Sequence, residues 1–311
     1  IMPIEVAVGI LVNSSNHVLI NQRTALQSWS GWWEFPGGKL EKNETPRQAL
    51  DREIYEELGV EVIEAKQWVT RSFSYEDTDV ILYFFKILKW NGDASSKEGQ
   101  LLSWEYFEKI DLSKVLPPNK FVAGAINLPD HYAITNLSET PLFLFIQQLE
   151  NRIKNGTKLI QVREKELSDY EYKKFAERIL EVCKERDVKV MINSNINLAY
   201  ELSADGVQLN SGQIHKINKF PKELIIGASC HNIKDLDVAE MKGANFAVLS
   251  PIKKTLSHPK VKPIGWEELS KLAIKYTMPI YALGGMALGD VERAQSAGAI
   301  GIASQRDIWK N

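Results

Sequence analysis

Three glutamates, Glu53, Glu56 and Glu57, stand three and four residues apart in the stretch "GGKLEKNETPRQALDREIYEELGV", residues 37 to 60. On a helix that spacing crowds all three onto one side. Like charges at i, i+4 oppose a helix in water by a few tenths of a kcal/mol, and partial desolvation makes this worse. A bound divalent cation reverses the sign, because hard cations such as Mg²⁺ take oxygen ligands. The plain alternative is a solvated acidic face, the commoner fate of an arbitrary glutamate triplet.

A helix must present these groups. Thr45 fits its N-cap, Pro46 its first position and Gln48 the reciprocal place of a capping box. Gly59 fits the left-handed residue beyond its end. The spacing predicts a helix over about 46–58. Leu50, Ile54 and Leu58 form an i, i+4, i+8 stripe that should be buried. At about 100° per residue the three glutamates fall in an arc beside that stripe, at a buried edge.

The wider pattern is Gly38, Glu44 and then Arg52-Glu53-Ile54-Tyr55-Glu56-Glu57-Leu58-Gly59-Val60. It fills the fixed positions of a Nudix box, and residues 3 to 126 resemble the Nudix hydrolases. They are similar to the MutT-type members, which hydrolyse oxidised nucleoside triphosphates such as 8-oxo-dGTP. "EFPGGK", 34 to 39, leads into the box as in that group. The resemblance implies an α+β Nudix fold, a mixed sheet with flanking helices. It implies catalytic work by Glu53, Glu56, Glu57 and Glu98, and a Mg²⁺ site (Mn²⁺ also suits) at Gly37, Glu53, Glu56, Glu57 and Glu98. It assigns Arg23, Phe35, Gly38, Lys39 and Asn119 to a small-molecule nucleotide substrate. An asparagine amide offers donor and acceptor together to an altered purine edge. Phe35 could stack on the base, and Arg23 and Lys39 could hold phosphate oxygens. The chain departs from the group at Thr78, where an arginine is frequent near the base; neither Asp77 nor Asp79 can replace a cation. This weakens the case for tight discrimination of 8-oxoguanine. The implied reaction is attack of an activated water on phosphorus, giving a nucleoside monophosphate and pyrophosphate.

Other strands must frame this helix. "IEVAVGILV" and "HVLINQR", separated by "NSSN", read as a hairpin, and "SFSY", "VILYFFKILKW" and "LLSWEYF" as further strands. The junction is expected at "NLPDHY", dividing the chain into domains 1–128 and 129–311. Beyond it, eight short strand-like runs from "YAIT" to "AIGIAS" alternate with amphipathic segments such as "SDYEYKKFAERILEVCKER". That alternation implies a parallel sheet and predicts an α/β (β/α)8 TIM barrel; an open doubly wound sheet is the runner-up.

In "LIQVREK", Gln161, Arg163 and Lys165 alternate at a strand end and should point to one side. Gly284 and Gly285 follow a strand in "ALGGM", where backbone N–H groups can cradle a phosphate. Residues 131 to about 305 resemble thiamin phosphate synthase on "QVREK", "INSN", "ADGVQL", "GASCH", "SPIKKT" and "ALGG". That family holds Mg²⁺ with aspartates. Here Ser194 and Gln213 stand at the acidic positions, Gln208 stands for a histidine and His258 for a lysine. Serine and glutamine cannot supply that charge. The expectation is a barrel that binds a phosphorylated ligand without the condensation. His215, His231 and His258 share no metal-ligand spacing and read as ordinary polar residues. Trp29, Trp32 and Trp33 read as packing residues sooner than as a loop over the first site.

Composition agrees with two soluble domains. The chain has 311 residues, 44% apolar and 25% charged, with net charge -2, so neither a nucleic-acid nor a membrane partner is expected. Cys183 and Cys230 alone form no disulfide framework, which suits a reducing cytoplasm. The N-terminus "IMPIEVAVGILV" lacks the basic region of a signal peptide. Two alternatives stay open: hydrolysis of thiamin-related diphosphates, and a barrel that senses a phosphometabolite and gates hydrolysis.

Overall fold

The computed structural model describes residues 2–75, 78–106, 109–255 and 259–310. Asp77 and His258 lie outside the described residues. The main division between two compact units falls between Ile126 and Asn127.

In the first unit, β1 (Ile4–Leu11), β2 (His17–Gln22), β3 (Trp33–Glu34) and β4 (Gly37–Lys39) precede α1 (Pro46–Leu58). Then come β5 (Glu61–Tyr75), β6 (Thr78–Asn91), β7 (Leu101–Tyr106) and α2 (Lys120–Ala125). One mixed sheet runs β4-β1-β6-β5, with β1 parallel to β6 and antiparallel to β4. A second, antiparallel sheet runs β3-β2-β7.

The expected β1–β2 hairpin forms only at its turn. Asn13 Oδ1 accepts from the N–H groups of Ser15 and His17. The strands then share a single bridge, Val12 to Val18, and enter different sheets. The reason lies in packing: Ala7 and Leu11 from one sheet and Leu19 from the other bury themselves in the same apolar cluster as Leu50, Ile54 and Leu58. Diverging strands cover the apolar stripe of α1 from two directions, which a flat hairpin cannot do.

Helix α1 follows its sequence signals. Thr45 Oγ1 accepts from Gln48 N–H and Gln48 Oε1 from Thr45 N–H. Gly59, at φ 69°, donates to Tyr55 O. Leu50, Ile54 and Leu58 are fully buried.

The opposite face of the mixed sheet carries Leu82, Phe84 and Arg71, since Arg71 sits opposite Leu82 in the β5–β6 register and residues two apart share a face. Phe121 of α2 packs edge-on against Phe84 with ring centres 5.0 Å apart.

The second unit closes on itself. Its strands are β8 (His131–Ile134), β9 (Leu159–Val162), β10 (Lys189–Asn193), β11 (Gly206–Leu209), β12 (Ile225–Cys230), β13 (Phe246–Leu249), β14 (Ile280–Ala282) and β15 (Gly301–Ser304). They pair in chain order, all parallel, and β15 returns to β8. This closure excludes the open doubly wound sheet. The helices between them are α3 (Leu142–Lys154), α4 (Asp169–Cys183), α5 (Ile196–Glu201), α6 (Ser211–Lys216), α7 (Ile233–Met241), α8 (Trp266–Ala273) and α9 (Val291–Ser296). α4 begins with a second capping box, Ser168 with Glu171. Tyr132, Phe246 and Tyr281 fill the barrel interior, with ring centres 5.3 to 5.8 Å apart. Among the described residues no helix is long and apolar enough to cross a membrane. Both cysteines are free and buried, and burial pushes the Cys183 thiol up to about 12.

Candidate active site

Helix α1 turns Glu57 inward against β4. Glu57 Oε2 accepts from the Gly37 N–H at 3.0 Å. Burial drives its carboxyl from the ordinary 4.5 up to about 8; the Gly37 bond opposes that rise, while the nearby charges of Glu53, Glu34 and Glu98 add to it. Four carboxyl groups therefore share one region, and none neutralises another.

Two glycines make the approach possible. Gly37 has φ 145°, and a Cβ there would overlap the Ala7 carbonyl of the paired strand. A Cβ on Gly38 would overlap the Glu53 carboxylate. Only the "GG" lets β4 run this close to both β1 and α1.

Arg52 organises the rim. Its Nε and Nη2 donate to the two oxygens of Glu44 at 2.9 and 2.8 Å, a bidentate pair. These bonds hold the Glu44 carboxyl down at about 2. Nη1 donates to Glu53 Oε1 at 2.8 Å and to Glu56 Oε2 at 3.3 Å, and Nη2 also donates to Lys39 O. Glu56 is the outermost of the three, its side chain 53% exposed. Glu98 Oε2 accepts from Gln100 Nε2. Among the described residues no group of three or more His, Cys, Asp or Glu side chains already stands in an arrangement that could hold a metal ion; Arg52 engages Glu53 and Glu56 instead. The donor chemistry nonetheless fits a hard divalent cation. An all-carboxylate set whose inner member is raised by burial, and further by the charges of its neighbours, is a place where positive charge is stabilising.

The structure adds Glu34, to which the sequence reading gave no role. It lies on β3, and burial raises its carboxyl despite the opposing charge of Arg23, whose Nη1 donates to it at 2.7 Å. Its one sequence signal is its place directly before "FPGG". Arg23, expected at phosphate oxygens, bonds here to Glu34 and, through Nε, to Ser28 O at 2.6 Å. It thereby pins the loop that carries Trp29 and Trp32, whose rings meet edge to face at 4.8 Å. Trp33 is half-buried on β3, and its main chain bridges that of Val115. Phe35 is 6% exposed and belongs to the core. Lys39 is exposed. Asn119 ends a short 3-10 turn, Pro117–Asn119; it is 5% exposed and its side chain makes no cap bond to α2. Thr78 opens β6 and is half-buried.

At the barrel, β9 ends at Val162, so of Gln161, Arg163 and Lys165 only Gln161 lies within the strand. Arg163 N–H leaves the ladder and donates to Thr135 Oγ1. Gln161 is buried, Arg163 half-buried and Lys165 exposed. Desolvation lowers the Arg163 guanidinium, with Glu164 opposing. Gly284 and Gly285 have φ 109° and 66°, beside Lys253 and Lys254. Ser194 and Gln213 do meet: Gln213 Nε2 donates to Ser194 O at 2.7 Å, and Asn210 Nδ2 to Ser194 Oγ at 3.3 Å. That cluster is neutral throughout. Gln208 bridges Tyr132 and Ser229 inside the barrel. His231 Nδ1 lies 2.9 Å from Ser250 O, and His215 Nε2 lies 2.8 Å from Asp235 Oδ1.

A carboxylate-bearing helix over a mixed sheet and a closed βα barrel define a two-domain chain in which one fold suits phosphoric anhydride hydrolysis. Comparison with known proteins agrees. Residues 131–308 match the family model described as thiamine monophosphate synthase, and residues 3–126 the one described as the NUDIX domain. A thiamine-phosphate synthase of Fusobacterium nucleatum is 30% identical over 167 residues, 53% of this chain and 81% of its own. An 8-oxo-dGTP diphosphatase of Proteus vulgaris is 40% identical over 96 residues, 31% of this chain and 86% of its own. One from Escherichia coli is 32% identical over 123 residues, 40% of this chain and 95% of its own. The chain belongs to the Nudix family through its first unit and to the thiamine monophosphate synthase family through its second. It is a hydrolase acting on phosphoric anhydrides.

Proposed function

We propose that the first unit is a Mg²⁺-dependent nucleoside triphosphate diphosphatase. It converts oxidised nucleotides such as 8-oxo-dGTP to the monophosphate and pyrophosphate. The observation that carries this reading is the buried Glu57 carboxyl among Glu34, Glu53 and Glu98. Glu53, Glu56, Glu57, Glu98 and the main chain of Gly37 would hold the ion, with Mn²⁺ as a substitute. Bound there, it would neutralise phosphate oxygens and acidify a water. Glu53, oriented by Arg52, accepts the proton of the attacking water. Lys39 and Arg23 attract the phosphate chain. The Asn119 amide matches a purine edge that both donates and accepts. The curated diphosphatases of Proteus vulgaris and Escherichia coli support this substrate class. The test is turnover of Glu53→Gln, Glu56→Gln and Glu57→Gln with Mg²⁺ on a nucleotide panel. Losses of about a hundredfold or more are expected at Glu53 and Glu57; wild-type turnover in all three refutes the reading.

For the barrel, the neutral cluster of Ser194, Asn210 and Gln213 favours ligand binding without condensation. A phosphorylated metabolite would sit at Arg163 and the Gly284–Gly285 turn, and would regulate the hydrolase. Robust thiamin phosphate formation from its two precursors would overturn this. A preference of the first unit for thiamin diphosphates over 8-oxo-dGTP would select the alternative substrate. Domains 1–128 and 129–311, and a cytoplasmic setting with reduced thiols, complete the proposal.

A further inference from the structure

Arg71 stands at a place where a charge is costly. It is 3% exposed, on the sheet face opposite α1. Its guanidinium lies 4.3 Å from the centre of the Phe121 ring and 5.7 Å from that of Phe73. Phe121 is held from two further sides, by Phe84 at 5.0 Å and Trp68 at 5.7 Å. Such a shelf uses the flat face of the guanidinium, and a desolvated cation–π contact is among the stronger aromatic interactions.

Phe121 follows Asn119 by two residues on one rigid stretch. Asn119 N–H donates to Leu116 O, closing the 3-10 turn, and α2 starts at Lys120. The Asn119 side chain takes no cap bond, so the start of α2 does not hold its amide and the backbone of the turn sets where it begins. That frame is anchored through Phe121.

We propose that Arg71 is a positioning residue for base recognition: by clamping Phe121 it fixes the turn that aims Asn119, and so sets discrimination between bases without touching the carboxylate site. The proposal rests on the nucleotide reading of the first unit. The carboxylates belong to α1, β3 and the segment before β7, and Glu57 faces β4, whereas Arg71 grips α2 on the other face of the mixed sheet. Base discrimination and chemistry are therefore separable.

The experiment compares wild type, Arg71→Met, Arg71→Lys, Asn119→Ala and the double variant Arg71→Met/Asn119→Ala on 8-oxo-dGTP and dGTP with Mg²⁺. Arg71→Met keeps bulk and loses charge. Its ratio of kcat/KM between the two substrates is expected to fall about 5- to 30-fold, through KM, with kcat held within about twofold. Arg71→Lys should restore part of the ratio. In the Asn119→Ala background Arg71→Met should change the ratio no further. An unchanged ratio, an equal loss on both substrates, or an additive double variant overturns the proposal. Should Arg71→Met fail to fold, by circular dichroism, Arg71→Lys and its Asn119→Ala double decide on the same ratio. A wild type that hydrolyses both substrates equally also overturns it, whereas a wild type inactive on every triphosphate overturns the nucleotide reading itself.

Discussion

Glu57 should make the chelated protein lose stability as pH rises. Its carboxyl ionises at the ordinary 4.5 in the unfolded chain but only near 8 in the fold, chiefly because burial disfavours the charge. Between those values the folded state binds more protons than the unfolded one, so unfolding becomes easier with each step upward in pH. At about 1.4 kcal/mol per pH unit, the whole interval is worth up to about 5 kcal/mol, a large part of a domain's stability. Below pH 4.5 this cost is absent; above 8 it is complete. Glu57→Gln removes the charge and keeps an oxygen to accept from Gly37 N–H. Melting curves in EDTA at pH 5.5 and 8 should show wild type losing several degrees more than Glu57→Gln. Added Mg²⁺ at pH 8 should raise the wild-type Tm and leave Glu57→Gln nearly unmoved. Equal pH slopes for the two proteins, or equal Mg²⁺ stabilisation, would refute the reasoning.

Three further outcomes follow from the geometry. Gly38→Ala drives a methyl into the Glu53 carboxylate, and kcat/KM should drop at least about tenfold while far-UV circular dichroism stays native. Thr45→Ala removes the capping-box hydroxyl; denaturant unfolding should show about 1 kcal/mol of lost stability with kcat/KM unchanged. Gln208→Met deletes the amide between Tyr132 and Ser229, while Tyr132 keeps its bond to Gln161; a loss of about 1 kcal/mol should appear in unfolding followed by near-UV circular dichroism.

The sequence by itself determined the local frame. Thr45, Pro46, Gln48 and Gly59 fixed both ends of α1 because capping involves residues within one turn of each other. The stripe of Leu50, Ile54 and Leu58 fixed its buried face, and so the edge on which the glutamates stand. Eight apolar runs with helices between them specified a parallel βα architecture, since parallel strands need those crossovers; the pairing of β15 with β8 decided for the closed barrel over the open doubly wound sheet. Tertiary structure decided what meets across long separations. Strands β1 and β2 left their hairpin because burial against α1 outweighs continued pairing. β9 ended at Val162, which left Arg163 and Lys165 beyond the strand. Glu34 came beside Glu57, and Arg23 turned to Glu34, through sheet contacts that no spacing announces. Arg71 carries no local signal of burial at all: its place on Phe121 exists only where β5, β6 and α2 pack together. Periodicity reports which face of an element is buried, but the partner that buries it is chosen by packing of the whole domain.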